Sequence, residues 1–254
     1  PDARQGDPAT TFTAHVQSAI DDLLRHGIRP ALLIVDTVFS SDGLFTDPPG
    51  FLAPAAAAIR AAGGLFLADE VQPGFGRTGG HMWGFQRHGV TPDMVSLGKP
   101  MGNGYPVAGL VLQPHVIAEF GAKARYFNTF GGNAVAAATA MAVLSVIEEE
   151  GLMENSARVG RAFRAGLDDL ATRHPALGDI RSAGLFLAVD IVTDGQPDRA
   201  RAGRLVNALR EARILISATG AQGHTLKIRP PLVFSEDNAA FFLDRFDAIL
   251  TRSP

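Results

Sequence analysis

Three short apolar runs, each ending in a charged or turn-forming residue, constrain this chain more than any other feature. Residues 31–35 lead into Asp36, residues 65–68 into Asp69, and residues 93–97 into Gly98 and Lys99. Runs of four or five largely apolar residues, the third interrupted by Ser96, read as buried strands. Between them the period changes. Phe12, Val16, Ile20, Leu23 and Leu24 recur at helical spacing before Gly27, and residues 54–62 predict a helix with proline in its first turn, closed by Gly63 and Gly64. Strand and helix in alternation predict an α/β fold with a mostly parallel sheet, and such sheets bind ligands at the carboxyl ends of their strands. Asp69 and Lys99 fall at those ends.

Further along, residues 107–112 predict one more strand, ended by Gln113 and Pro114. Residues 133–150 predict a long alanine-rich helix stopped by Gly151, and another helix follows through Leu170. Beyond Pro175 the pattern predicts strands at 183–192, 214–217 and 226–228 with helices at 200–212 and 237–251. This is the pattern of a smaller α+β unit. The expected division is a partial large domain over 1–150, then a linker helix and small domain over 151–254.

Composition removes several function classes. The chain of 254 residues is 46% hydrophobic and 19% charged with net charge −3 and no basic run, which argues for a globular fold and against a nucleic-acid surface. It has no cysteine, so disulfides, thiolate catalysis and Cys-ligated metals are excluded, and no metal site is expected. No apolar stretch reaches the ~20 residues that cross a bilayer. The first ten residues read as a polar loop, and Pro1 to Arg4 hold no apolar signal core, so a cytoplasmic location is expected.

Asp69 and Glu70 end the second strand, where acids are most often simply solvated. They would also suit a Mg²⁺-binding acid of a nucleotide hydrolase, or a carboxylate paired with a cofactor's ring nitrogen. The hydrolase needs Gly-x-x-x-x-Gly-Lys-Ser/Thr, and the Gly98-Lys99 pair has Asp93 at the upstream glycine position and Pro100 after the lysine. That reading fails in this chain. Lys99 offers different chemistry. A lysine taken out of water loses proton affinity, and its neutral amine can attack an aldehyde to form a Schiff base. A pyridine cofactor also needs a carboxylate at its nitrogen, for which Asp69 stands at a neighbouring strand end, and phosphate contacts, for which residues 128–133 precede a helix N-terminus.

These segments together resemble a known family. Leu67-Ala68-Asp69-Glu70-Val71-Gln72-Pro73-Gly74-Phe75-Gly76-Arg77-Thr78-Gly79 resembles the signature of class III (ornithine/alanine–glyoxylate type) aminotransferases. Ser96 to Pro106 resembles their cofactor-lysine segment, and Asn128-Thr129-Phe130-Gly131-Gly132-Asn133 their phosphate loop. The resemblance implies the type I fold of pyridoxal-5′-phosphate (PLP) enzymes, here with an incomplete large domain. It implies that Asp69 holds the pyridine nitrogen, Val71 packs on the ring, Gln72 reaches its phenolic oxygen, and Lys99 forms the Schiff base and moves the Cα proton. Thr129 would bind the phosphate of the other subunit's cofactor, so a homodimer with shared sites is expected.

Two departures stand out. The family often has glutamate where this chain has Asp36, and a carboxylate-gripping arginine where it has Lys227. Lysine is a point charge that suits phosphate or a looser carboxylate site. The segment around Lys227 looks most like the branch containing ethanolamine-phosphate phospho-lyase. The expected function is therefore an aminotransferase acting on an amine or amino acid and a keto acid or aldehyde. A PLP-dependent phospho-lyase for a phosphorylated amino alcohol is the alternative, and a non-catalytic fragment the third. The family's chains extend further before the Asp69 strand, so a truncated chain is expected.

Overall fold

A computed structural model describes residues 6–252. Residues 1–5 of the expected N-terminal loop lie outside the described residues, and residues 8–10 of it are helical. Helix α1 (Pro8–Arg25) begins there because Asp7 caps it, accepting from the Thr10 backbone N–H at 3.0 Å.

The chain divides into two compact units, and the division is not a single cut. The first holds Pro1–Thr37, Asp47–Phe75 and Trp83–Val146, and the second Val38–Thr46, Gly76–Met82 and Ile147–Pro254.

In the first unit, β1 (Leu32–Asp36), β2 (Leu65–Asp69) and β3 (Met94–Leu97) are parallel, and β4 (Gly109–Leu112) closes the sheet antiparallel in the order β1-β2-β3-β4. Helix α2 (Ala53–Ala61) packs against both α1 and β2. Phe66 and Ile59 are fully withdrawn from water, and each such side chain contributes roughly 1.5–3 kcal/mol. Pro114 ends the fourth strand as expected, but it also opens a helix not foreseen, α3 (Pro114–Lys123), where its missing N–H costs nothing. This helix buries none of its residues in the described chain, so its apolar pattern carried no readable core face.

Helix α4 (Ala134–Glu149) leads to the second unit, where α5 (Leu152–Arg173), α6 (Arg199–Glu211) and α7 (Glu236–Arg252) flank an antiparallel sheet. Its strands are β5 (Leu177–Ala183), β6 (Phe186–Thr193), β8 (Ser217–Thr219) and β9 (Thr225–Ile228) in the order β5-β6-β9-β8, with the short β7 (Gln196–Pro197) paired to β6. Phe163, Leu187, Leu205 and Phe246 are the centre of its core. The single strand expected at 183–192 is instead the second arm of a hairpin. β5 was hidden because a register irregularity between Leu177 and Ile180 breaks its alternation.

Candidate active site

The register of the parallel strands brings the acids together. Asp36 pairs with Asp69 across β1 and β2, and Asp69 pairs with Ser96 across β2 and β3. One oxygen of Asp69 is committed: Oδ1 accepts from the Val71 N–H at 3.1 Å and from Ser96 Oγ at 3.0 Å. Oδ2 accepts no hydrogen bond from any described residue, so it is available to a proton-bearing partner. Ser96 belongs to the motif but had no assigned role, and strand register alone reveals it as the residue that orients Asp69.

Lys99 opens the one-turn 3-10 helix Lys99–Gly102 at the end of β3, with φ of 25°. A lysine at positive φ is strained, and such strain is concentrated at functional positions. Its side chain is exposed and pairs with nothing among the described residues. The desolvation expected of it is therefore not supplied by these residues.

Val71 is half-buried, and a Cβ built on Gly98 would stand 3.5 Å from its Cγ2, so this valine covers the glycine just before Lys99. Gln72 follows in the same turn, half-buried. Thr129 is exposed between Asn128, whose Oδ1 accepts from the Gly131 N–H at 2.9 Å, and Asn133, whose Oδ1 caps α4 through Val135 and Ala136 at 3.0 Å. An open carboxylate oxygen, a free primary amine at the next strand end and a hydroxyl in a turn before a helix make a donor set that fits PLP.

Behind Asp69 stands a second acid whose place the linear pattern left open. Glu70 is wholly buried and accepts from the Gly84 N–H at 2.7 Å, the Phe85 N–H at 2.8 Å and Thr37 Oγ1 at 3.0 Å. Burial pushes its carboxyl up to about 7, against the pull of those hydrogen bonds, with the Asp36 charge adding to the rise.

Lys227 and Arg229 belong to the second unit. Both lie over the ring of Phe186, at 5.5 and 6.0 Å from its centre. With Leu215, Ile216 and Ser217 they line a cavity of about 290 Å³. Nearby in the same unit, Arg77 donates to the carbonyls of Leu185 and Pro230, and burial, aided by the Arg229 charge, brings it down to about 10. No group of His, Asp or Glu among the described residues could hold a metal ion, and no described helix is long and apolar enough to cross a membrane.

Comparison with known proteins places this geometry in context. The family model for aminotransferase class-III matches residues 10–250. The chain is 38% identical over 238 residues to alanine–glyoxylate aminotransferase 2 homolog 2, mitochondrial, of Arabidopsis thaliana, covering 92% of this chain and 50% of that protein. It is 37% identical to ethanolamine-phosphate phospho-lyase homolog 1 of Caenorhabditis elegans, covering 94% and 53%. Among solved structures, a phospholyase from Arthrobacter in complex with phosphoethanolamine has a TM-score of 0.93 at 38% identity, over 97% of this chain and 59% of that one. A transaminase from the marine bacterium Virgibacillus has a TM-score of 0.86 at 28% identity, covering 94% and 57%. The chain thus spans about half the length of the curated relatives it matches.

Proposed function

The chain belongs to the class III aminotransferases, with the type I fold of PLP enzymes, and from that membership we propose that it serves a PLP-dependent amino-group transfer between an amine or amino acid and a keto acid or aldehyde. One observation carries the reading: Asp69, with one oxygen pinned by Ser96 and Val71 and the other open, shares neighbouring strand ends with the strained Lys99.

When bound, PLP supplies an aldehyde that captures the substrate amine and a protonated ring that draws electrons from the adjoining carbon. Asp69 Oδ2 keeps the proton at the ring nitrogen, since a carboxylate beside a base favours its charged form. Lys99 Nζ would hold the cofactor through its aldehyde, and as a free amine it would serve as the base for the proton on the substrate carbon. By the family resemblance Val71 would pack against the ring, Gln72 would hydrogen-bond its phenolic oxygen, and Thr129 would bind a phosphate. The family resemblance assigns substrate recognition to Asp36, opposite Asp69 in register, and separately to Lys227. Exposure of Tyr126, Phe127 and Phe130 around Thr129 supports a homodimer in which that phosphate belongs to the partner's cofactor.

Borohydride reduction of the full-length protein with PLP tests the assignment. The pyridoxyl mass is expected on the peptide bearing Lys99, absent from Lys99→Ala, and a label confined to other lysines overturns it. The same substitution is expected to lower amino transfer by about 10³-fold or more.

The approach of both Lys227 and Arg229 to the Phe186 ring, with both lining the same cavity, favours a second reading, a phospho-lyase. Two cations suit a phosphate dianion better than a single carboxylate. Release of inorganic phosphate from phosphoethanolamine without a keto acid selects this reading, and strict dependence on a keto acid selects the first.

A further inference from the structure

Glu70 is a buried acid for which the proposed reaction has no use, and both its backbone and its carboxylate bond to the framework of the site. Its backbone N–H donates to the Ser96 carbonyl at 3.0 Å, and its own carbonyl accepts from Gly74 at 3.1 Å. Its carboxylate gathers Thr37, just beyond β1, and the N–H groups of Gly84 and Phe85 at the start of the 3-10 helix Gly84–His88.

The network continues outward. The Thr37 carbonyl accepts from His88 Nε2 at 2.8 Å, because His88 Nδ1 is occupied by the Gly50 N–H at 3.2 Å. Phe51 packs edge-on against that imidazole with ring centres 4.8 Å apart. The packing leaves no room for adjustment: a Cβ on Gly84 would stand 2.2 Å from Thr37 Oγ1 and 2.8 Å from Pro73 Cβ. Trp83 closes the other side, 5.0 Å from Phe75 between ring centres and 3.0 Å from the Cβ position of Gly74.

We infer that Glu70 is a positioning residue, whose carboxylate joins the ends of β1 and β2 to the Gly84–Phe85 turn and so holds residues 69–74 in the conformation that aims Asp69. Adjacent residues of a strand point to opposite faces, so the pair divides its work: Asp69 presents an open oxygen, while Glu70 is spent entirely on framework. Every group that meets the carboxylate is a donor, which is the geometry of an ionised acceptor. An amide in its place keeps the acceptor oxygen for Phe85 and Thr37 but turns an NH₂ group toward the Gly84 N–H. Two donors then face each other in a buried site. The inference rests on the proposed role of Asp69 at the cofactor nitrogen, and its test separates the two.

Glu70→Gln and the milder Thr37→Val would be compared with the wild-type chain in full-length protein at pH 8, where Glu70 is ionised. Without PLP, amide exchange of the peptides covering 70–75 and 83–86 is expected to quicken by about tenfold or more in Glu70→Gln, and less in Thr37→Val, with the β5–β6 hairpin unchanged. With PLP, Glu70→Gln is expected to bind roughly 10-fold more weakly and to shift the pH midpoint of the bound cofactor's absorbance, which reports the contact at Asp69 and which a fold-only role leaves in place. Unchanged exchange in both variants overturns the inference, as does an unmoved absorbance midpoint in a Glu70→Gln protein that still loads PLP. If the wild type takes up no PLP, the functional reading falls, and the exchange comparison alone decides the role of Glu70. Should Glu70→Gln fail to fold, Thr37→Val decides by the same measurements.

Discussion

Glu70 in the first unit and Asp190 in the second are both buried acids, yet only Asp190 has a cation against it. Arg181 donates to both Asp190 oxygens at 2.7 and 3.0 Å, and Thr225 Oγ1 adds a third bond at 2.7 Å. Burial pushes the Asp190 carboxyl up, but the hydrogen bonds and charge of Arg181 outweigh it and hold the group below 3.8. Glu70 has three donors, all neutral, and none of the described residues gives it a cation. Burial wins there. Neutral N–H and O–H dipoles orient a buried carboxylate without fully repaying its lost hydration, whereas a bidentate guanidinium does repay it.

The uses differ accordingly. The same Arg181 donates to the carbonyls of Gly43 and Leu44, fastening Val38–Thr46 within the second unit, and Thr219 Oγ1 holds Ser41 at 2.7 Å. Asp190 therefore belongs to a clamp built for stability, and Glu70 to a framework kept at the threshold of ionisation near neutral pH.

The largest expected effect comes from separating the clamp. Arg181→Met leaves Asp190 buried without its cation and should cost about 3–5 kcal/mol of the second unit's unfolding free energy, read from urea melts. The double change Arg181→Met with Asp190→Leu should recover most of that loss. A single change costing under about 1 kcal/mol would erase the contrast between the two acids.

Next comes pH. The folded chain holds the Glu70 proton more tightly than the unfolded chain, so its contribution to stability is complete below about 4.5 and lost as pH rises to about 7. That span corresponds to roughly 3 kcal/mol as an order of magnitude. Asp190 runs the other way: its contribution is complete above 3.8 and is lost as pH falls through its lowered value. Unfolding free energies of the first unit between pH 4.5 and 8 should slope downward in the wild type and flatten in Glu70→Gln. An equal slope in both proteins would mean another group titrates. The smallest effect is that of Thr37→Val, about 1 kcal/mol in the same melts, since one neutral donor of three is removed.

Much of this was legible along the chain. The three strands and their polar ends follow from run length, but burial on both faces holds only for β2: Leu32 and Ile34 of β1 are exposed and β3 is half-buried. Helix α3 and strand β5 were not legible, the first because its apolar residues face no core in this chain, the second because an irregular register breaks its period. The two segments that join the second unit were invisible for a different reason: Val38–Thr46 and Gly76–Met82 are held by partners more than a hundred residues away, such as Arg181 to Leu44 and Arg77 to Leu185.

Sequence alone determined the class of fold, and through its motifs the family, because local period and residue order are properties of neighbours in the chain; Asp69 and Lys99 were nominated from the same motifs. Only the tertiary structure decided that Ser96 pins one oxygen of Asp69, that Lys99 is exposed among these residues, and that Glu70 turns away from the chemistry into a cage of donors. Those outcomes depend on register and on which distant donors surround a buried charge, and neither is written in the spacing of residues along one strand.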